Sequence, residues 1–219
     1  MSNSRLLFEK CGKAKYISHL DLMRTMQRVF LRAGIRLRHT EGFNPHPYMS
    51  FALPLPVGCE SVCELLDFDI LGDVPLEAVP KLINGFMPEG IAAKKCYVPK
   101  RKFSDIRWIY ISGDLFYDNG VPENALPALR DFFSRKSIVI PKKTKRALTD
   151  VDIIPLINSI EITAGFSDKL QIKAMIAAQN PSLNPDYLIG AIKRNLELSP
   201  DFVSFRRERL FDAGIKAFE

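Results

Sequence analysis

The chain has 219 residues, 47% of them apolar, with a formal net charge of +6 and four cysteines. That length and apolar share support a buried core in one large domain or in two of about 100 residues each, and no run approaches the roughly 20 apolar residues of a membrane span. The opening MSNSRLLFEKCGKAKY lacks the apolar core of a secretory signal, and the cysteines at 11, 59, 63 and 96 make no dense disulfide framework, so a cytoplasmic protein with reduced thiols is expected.

In chain order, residues 4–10 read as a strand. Ser18 with Asp21 three positions later resembles a capping box and opens a helix that runs to Gly34, a natural stop. Leu22, Met26, Val29, Phe30 and Ala33 fall near a 3.6-residue period, while Arg24, Arg28 and Arg32 recur every four residues on the other side. Ile35–Thr40 is expected as a strand, EGFNPHP as a loop, and Tyr48–Leu53 as an extended continuation. Glu64–Leu71 then reads as a strand, Leu76–Phe86 as a helix and Ile91–Val98 as a closing strand. This β-α-β-β-α-β order is the ferredoxin-like pattern.

The second half repeats the plan more loosely. Strands are expected at 107–112 and 137–141, a helix at 123–134, a hairpin from 158–163 and 169–177, a helix from Pro185 to Leu196, and a last strand at 203–210. The expected fold is therefore α+β: two tandem ferredoxin-like (βαββαβ) subdomains, residues 1–98 and 107–219, joined by a basic hinge at 99–106.

Charge is unevenly spread. Residues 1–50 hold nine Lys and Arg against three Asp and Glu, an excess equal to that of the whole chain. From Phe51 to Val98 seven acids outnumber three lysines. A local positive field suits a docking surface better than a diffuse solubility charge.

The run YISHLDLMRTMQRVFLRAGI followed by EGFNPHPYMSFALPLPVGCES resembles the signature of an uncharacterised bacterial family described as radical-SAM-associated, fused to or encoded beside a radical SAM protein. The resemblance is specific over residues 5–70. It implies a bacterial cytoplasmic accessory domain whose genes sit near those for RNase G and ribosomal proteins, and it carries no catalytic residues. Tandem ferredoxin-like folds with a histidine at the start of the first helix are also similar to the CRISPR repeat-processing endoribonucleases. Those proteins use a C-terminal glycine-rich loop, whereas Gly165 and Gly214 here are isolated.

Three residue groups carry chemistry. His19 lies in the first helical turn, where a helix N-terminus disfavours an added positive charge and so suits a general base; Tyr16 and Lys15 would complete a metal-independent nuclease site. The bland reading is a space-filling ring. In EGFNPHPYMSFALPLPVG, four prolines and Gly42 restrict the backbone, so that Phe43, Asn44, His46 and Tyr48 can be displayed for stacking and base-edge hydrogen bonds with single-stranded RNA. The alternative is a rigid turn with Phe43 and Phe51 in the core. Arg24, Arg28 and Arg32, with no interleaved acid, point to phosphate, though a solvated helix face has the same spacing. PKKTKR at 141–146 is a second basic run, and Phe205 in FVSFRRER is a stacking candidate against burial.

No metal or cofactor is expected. His39, His46, Cys59 and Cys63 lack the close pairs of a structural zinc site, and Leu66 breaks a C-x3-C-x2-C cluster motif. The reading is an RNA-binding accessory protein, without activity of its own, that presents ribosomal or transfer RNA to a radical SAM enzyme, with the acidic stretch Glu60–Asp73 facing that partner. An endoribonuclease using His19 and a protein-only adaptor are the alternatives.

Overall fold

The computed structural model describes residues 2–143, 148–166 and 168–219. It divides the chain into two compact units. The first runs to Asp105 and also takes Arg207–Leu210 and Ala217–Glu219; the second comprises Ile106–Arg206 and Phe211–Lys216.

The first unit contains β1 (Ser4–Lys10), α1 (His19–Arg32), β2 (Met49–Phe51), β3 (Glu60–Phe68), α2 (Val79–Asn84) and β4 (Ile91–Tyr97). β1 pairs antiparallel with both β3 and β4, and β2 pairs antiparallel with β3, giving the order β4-β1-β3-β2. Leu6 lies opposite Leu66, and the apolar face they share carries Phe8 and Phe68 against Met26 and Phe30 of α1 and Ile83 of α2. Ser18 caps α1 by accepting from the Asp21 N–H at 3.2 Å. Beyond the helix Gly34 takes φ +72°, a left-handed turn that other residues enter at a cost.

Two expected elements differ. Ile35–Thr40 is not a continuous strand: single bridges join Leu37 to Ile70 and His39 to Pro47. Pro45 and Pro47 have no N–H to continue a ladder, so the pairing stops after a few bonds. The expected helix Leu76–Phe86 is a 3-10 turn over Leu76–Ala78 followed by the short α2, which carries Pro80 in its first turn, where a missing N–H is harmless.

The second unit contains β5 (Trp108–Phe116), α3 (Ala125–Phe133), β6 (Val139–Lys143), β7 (Leu148–Asp152), β8 (Ile157–Ala164), β9 (Lys169–Ala177), α4 (Asp186–Asn195) and β10 (Phe202–Phe211), the last with residues in both units. The main sheet order is β10-β5-β9-β8; β6 and β7 form a separate antiparallel hairpin, of which β7 was not expected. Leu115, Leu129, Phe132, Ala174, Leu188 and Ile192 are all buried. Phe205 is buried rather than presented for stacking, because Gly113 leaves room for it: a Cβ there would lie 2.6 Å from the ring. Of the basic run PKKTKR, residues 144–146 lie outside the described residues. The architecture is α+β, with mostly antiparallel sheets and, among the described residues, four α-helices, none long and apolar enough to cross a membrane.

Candidate nucleic-acid interface

The apolar stripe of α1 faces the sheet, which leaves Arg24, Arg28 and Arg32 exposed on its opposite side. Arg24 is partly neutralised by Asp21, 3.4 Å away. Among the described residues Arg28, Arg32 and the exposed Arg36 enter no ion pair. Arg38 differs: it bonds Asp69 through Nε at 2.7 Å and Nη2 at 2.6 Å and lies over the Tyr48 ring at 4.7 Å.

The loop after it is closed at its base. Thr40 N–H donates to the His46 carbonyl at 2.8 Å, and Tyr48 N–H to the Arg38 carbonyl at 2.7 Å. His46 turns back on the loop, with Nδ1 3.1 Å from the Asn44 carbonyl and 3.2 Å from Thr40 Oγ1. A carbonyl only accepts, so in the neutral tautomer that makes the bond to Asn44 the proton is on Nδ1 and Nε2 is an acceptor. Gly42 at φ +122° lets the tip reverse, and Phe43 stands in solvent at 112% relative exposure. Asn44 is exposed beside it, and Tyr48 has one face covered by Arg38. Phe51, by contrast, packs on the core of the unit.

Beside the C-terminal end of α1, this same unit has a groove of ≈ 570 Å³. Ile35 and Leu37 form its buried floor, and the exposed Leu31 and Leu71 line its walls. Arg28, Arg36 and His39 reach it, and among the described residues no carboxylate lines it. His39 places Nδ1 3.1 Å from the Leu37 carbonyl, so its neutral ring also keeps Nε2 as an acceptor.

The proposed nuclease trio is not assembled. His19 packs its ring edge-on against Phe51 at a centroid distance of 5.2 Å; Tyr16 is exposed, with the Lys15 ammonium 5.4 Å over its ring. Among the described residues no hydrogen bond joins the three side chains, so no base is held by an orienting partner.

Sequence reasoning missed a buried polar cluster. Lys10, Glu64 and Arg207 are all shut from solvent. Arg207 Nη1 donates to Glu64 at 2.9 Å and to the Leu53 carbonyl at 3.2 Å, and Lys10 Nζ donates to the Lys15 carbonyl at 3.1 Å. Burial pulls the Lys10 ammonium below its ordinary pKa, with Glu64 and Cys59 opposing. Burial and then Glu64 push the Cys63 thiol up to about 12, which makes it inert as a nucleophile. No periodic pattern marks such a cluster; the only sign is charges interrupting strand-like apolar runs.

Much of the acidic stretch expected to face a partner is engaged within the unit. Glu64 serves Arg207, Asp67 holds the buried Arg5 through Nε at 2.6 Å and Nη2 at 2.9 Å, and Asp69 holds Arg38. Glu60 accepts from the Gly12 N–H at 3.0 Å. Four of the five acids of the stretch are thus engaged within the unit, and Asp73 stays exposed. Among the described residues no group of three His, Cys, Asp or Glu side chains is placed to hold a metal ion, and all four cysteines are free thiols.

These features define an α+β protein with a basic helix whose Arg28 and Arg32 enter no ion pair among the described residues, a projecting aromatic loop tip and an adjoining apolar groove. The chain belongs to the family described as "Uncharacterized protein conserved in bacteria (DUF2344)", whose model matches residues 4–185. No curated protein matches it. Among solved structures it is similar to a chain of the Cbf5-Nop10-Gar1 complex, with a TM-score of 0.54 and 9% identity over 95% of this chain and 49% of that one. It is also similar to a chain of an H/ACA RNP bound to a substrate RNA containing 2'-deoxyuridine, with a TM-score of 0.51 and 8% identity over 98% of this chain and 48% of that one. A third is in the archaeal box H/ACA sRNP Nop10-Cbf5 complex, with a TM-score of 0.50 and 9% identity over 98% and 49% of the two chains. At these identities the likeness is one of fold, and the chain spans about half the length of those it matches.

Proposed function

We propose that this protein is a cytoplasmic RNA-binding accessory protein that holds ribosomal or transfer RNA and presents it to a radical SAM enzyme. The observation that carries the RNA reading is the set of exposed guanidiniums Arg28, Arg32 and Arg36, without counter-ions among the described residues, beside the solvent-exposed Phe43. Phosphate contacts from such a stripe supply affinity, and an aromatic tip supplies a stacking platform. The strand orders β4-β1-β3-β2 and β10-β5-β9-β8 support reading both units as ferredoxin-like, with β6–β7 inserted in the second. Support also comes from the fold likeness to chains of RNA–protein complexes, one of them bound to a substrate RNA. The radical SAM partner rests on the resemblance of residues 5–70 to the radical-SAM-associated family.

The test is retention of total bacterial small RNA by the metal-stripped protein on native gels across a salt series. Wild type binds in a salt-sensitive way and leaves the RNA intact. Changing Arg24, Arg28 and Arg32 together to Gln lowers affinity and flattens the log–log salt slope by about 1.4 to 2, at roughly 0.7 per single-strand phosphate contact and less for the paired Arg24. Unchanged affinity at every salt concentration sinks the reading. RNA cleavage in EDTA that is lost in His19→Ala would replace it with the nuclease alternative. A stable complex with the radical SAM protein that retains no RNA would replace it with the adaptor.

A further inference from the structure

The groove at the end of α1 has a composition that general phosphate binding does not require. Its lining is largely apolar, with Phe30, Ile35 and Leu37 buried and Leu31 at 78% and Leu71 at 48% relative exposure, where an exposed basic face would ordinarily be polar. Its volume of ≈ 570 Å³ lies within the range of small-molecule sites. Among the described residues Arg28 and Arg36 stand at it without counter-ions, and His39 offers an acceptor fixed by its bond to the Leu37 carbonyl.

An occupant must therefore combine a flat apolar body, an N–H donor at its edge and flanking negative charge. A nucleotide of a single strand has all three: an unstacked base for the aliphatic walls, an imino or amino group for His39 Nε2, and a phosphate on either side for the two guanidiniums. In a single strand, taking one base out of its stack costs little. An apolar peptide segment would fill the walls but leave both arginines without a charge partner.

We infer that this groove receives one splayed-out base of the bound RNA strand, with Arg28 and Arg36 on its adjoining phosphates and His39 on its hydrogen-bonding edge. This rests on the RNA-binding reading and adds to it the place where a base, rather than the backbone, is held. Phe43 would stack a neighbouring base at the loop tip.

The experiment compares binding of decauridylate and of an abasic ribose-phosphate decamer by the full chain at low salt. Both carry the same phosphates, so their difference measures base contacts. Wild type should prefer decauridylate. Leu31→Gln with Leu71→Gln, two exposed sites changed without altering charge, should weaken decauridylate binding by about fivefold or more and leave the abasic decamer unchanged. His39→Phe, which keeps a ring and removes the acceptor, should act in the same selective direction. If the double variant and His39→Phe bind both decamers as wild type does, or lose both equally, the base site is overturned while RNA binding stands. If wild type binds neither decamer, the RNA reading fails and the base site with it. Loss of the radical SAM protein from the double variant in that case assigns the groove to a protein.

Discussion

The guanidinium of Arg207, in the middle of the last strand, donates to the carboxylate of Glu64 on β3 at 2.9 Å, with both side chains buried. Lys10 lies close enough for Glu64 to hold up its pKa, so a single carboxylate serves two buried cations. Removing one member of a buried pair leaves an uncompensated charge and costs about 3–5 kcal/mol, whereas replacing both with apolar groups is often neutral. Glu64→Gln is therefore expected to destabilise more than Arg207→Met, since it strips both cations of their anion. Glu64→Met combined with Arg207→Met should cost less than the sum of the single changes. Urea unfolding followed by circular dichroism reads all of these; additive losses would show that the pair is not coupled.

How much of this was legible in the sequence depended on whether a feature is local. Ser18 and Asp21 lie within one turn, so the start of α1 could be read directly, as could the buried side of the helix from Leu22, Met26, Val29 and Phe30. Ile35–Thr40 has strand-like composition, but its pairing depends on prolines in the segment it returns to, and only single bridges form. The acidic stretch looked like a partner surface because charge counts do not reveal which charges meet. Arg5 and Asp67, 62 residues apart, find each other only through the pairing of β1 with β3. The exposed arginines and Phe43 were readable as candidates because both were set by local spacing and by a glycine in the loop; the groove beside them was not, since Leu31, Leu37 and Leu71 come together only in three dimensions.

The arginines of the basic face should not be equivalent. Arg24 shares its charge with Asp21, and Arg38 is committed to Asp69 and Tyr48. Arg28 and Arg32 have no such competitor among the described residues. Single Arg28→Gln and Arg32→Gln changes should each reduce the RNA salt slope by about 0.7, the share of one single-strand phosphate contact. Arg24→Gln should reduce it less, and Arg38→Gln should leave it near the wild-type value. Fluorescence anisotropy with a labelled oligoribonucleotide over several salt concentrations gives the four slopes; equal effects at all four sites would show that the internal pairs do not withhold these side chains.

Phe43 offers a cleaner separation of folding from binding. Its side chain is exposed, so Phe43→Ala should change unfolding free energy by no more than about 0.5 kcal/mol. A stacked base contributes roughly 1–3 kcal/mol by alanine substitution, so the same change should weaken single-stranded RNA binding by about 5- to 150-fold, with the salt slope unaltered because no phosphate contact is lost. Paired urea and anisotropy measurements on one variant suffice. A large fall in stability, or RNA binding equal to wild type, would return the loop tip to a structural or incidental role.

Alkaline pH should weaken the first unit through its buried thiols. Burial pushes both Cys63 and Cys96 from an ordinary 9.0 up to about 12, and Tyr97 from 10.0 up to about 12. In the unfolded chain these groups ionise at their ordinary values, while in the fold they keep their protons. Their contribution to stability is thus fully present below pH 9 and is lost as pH rises toward 12. Lys10 acts in the opposite sense, because its folded pKa is lowered: the unfolded chain holds that proton longer, so raising the pH toward 10.5 favours the fold. With three groups against one, the net slope between pH 9 and pH 11 should be downward. Cys96→Ala should shallow it and Lys10→Met should steepen it. Melting temperatures taken at intervals across this range under reducing conditions test the balance, and a profile that is flat or rising in the wild-type protein would mean that the thiols are not held neutral by their burial.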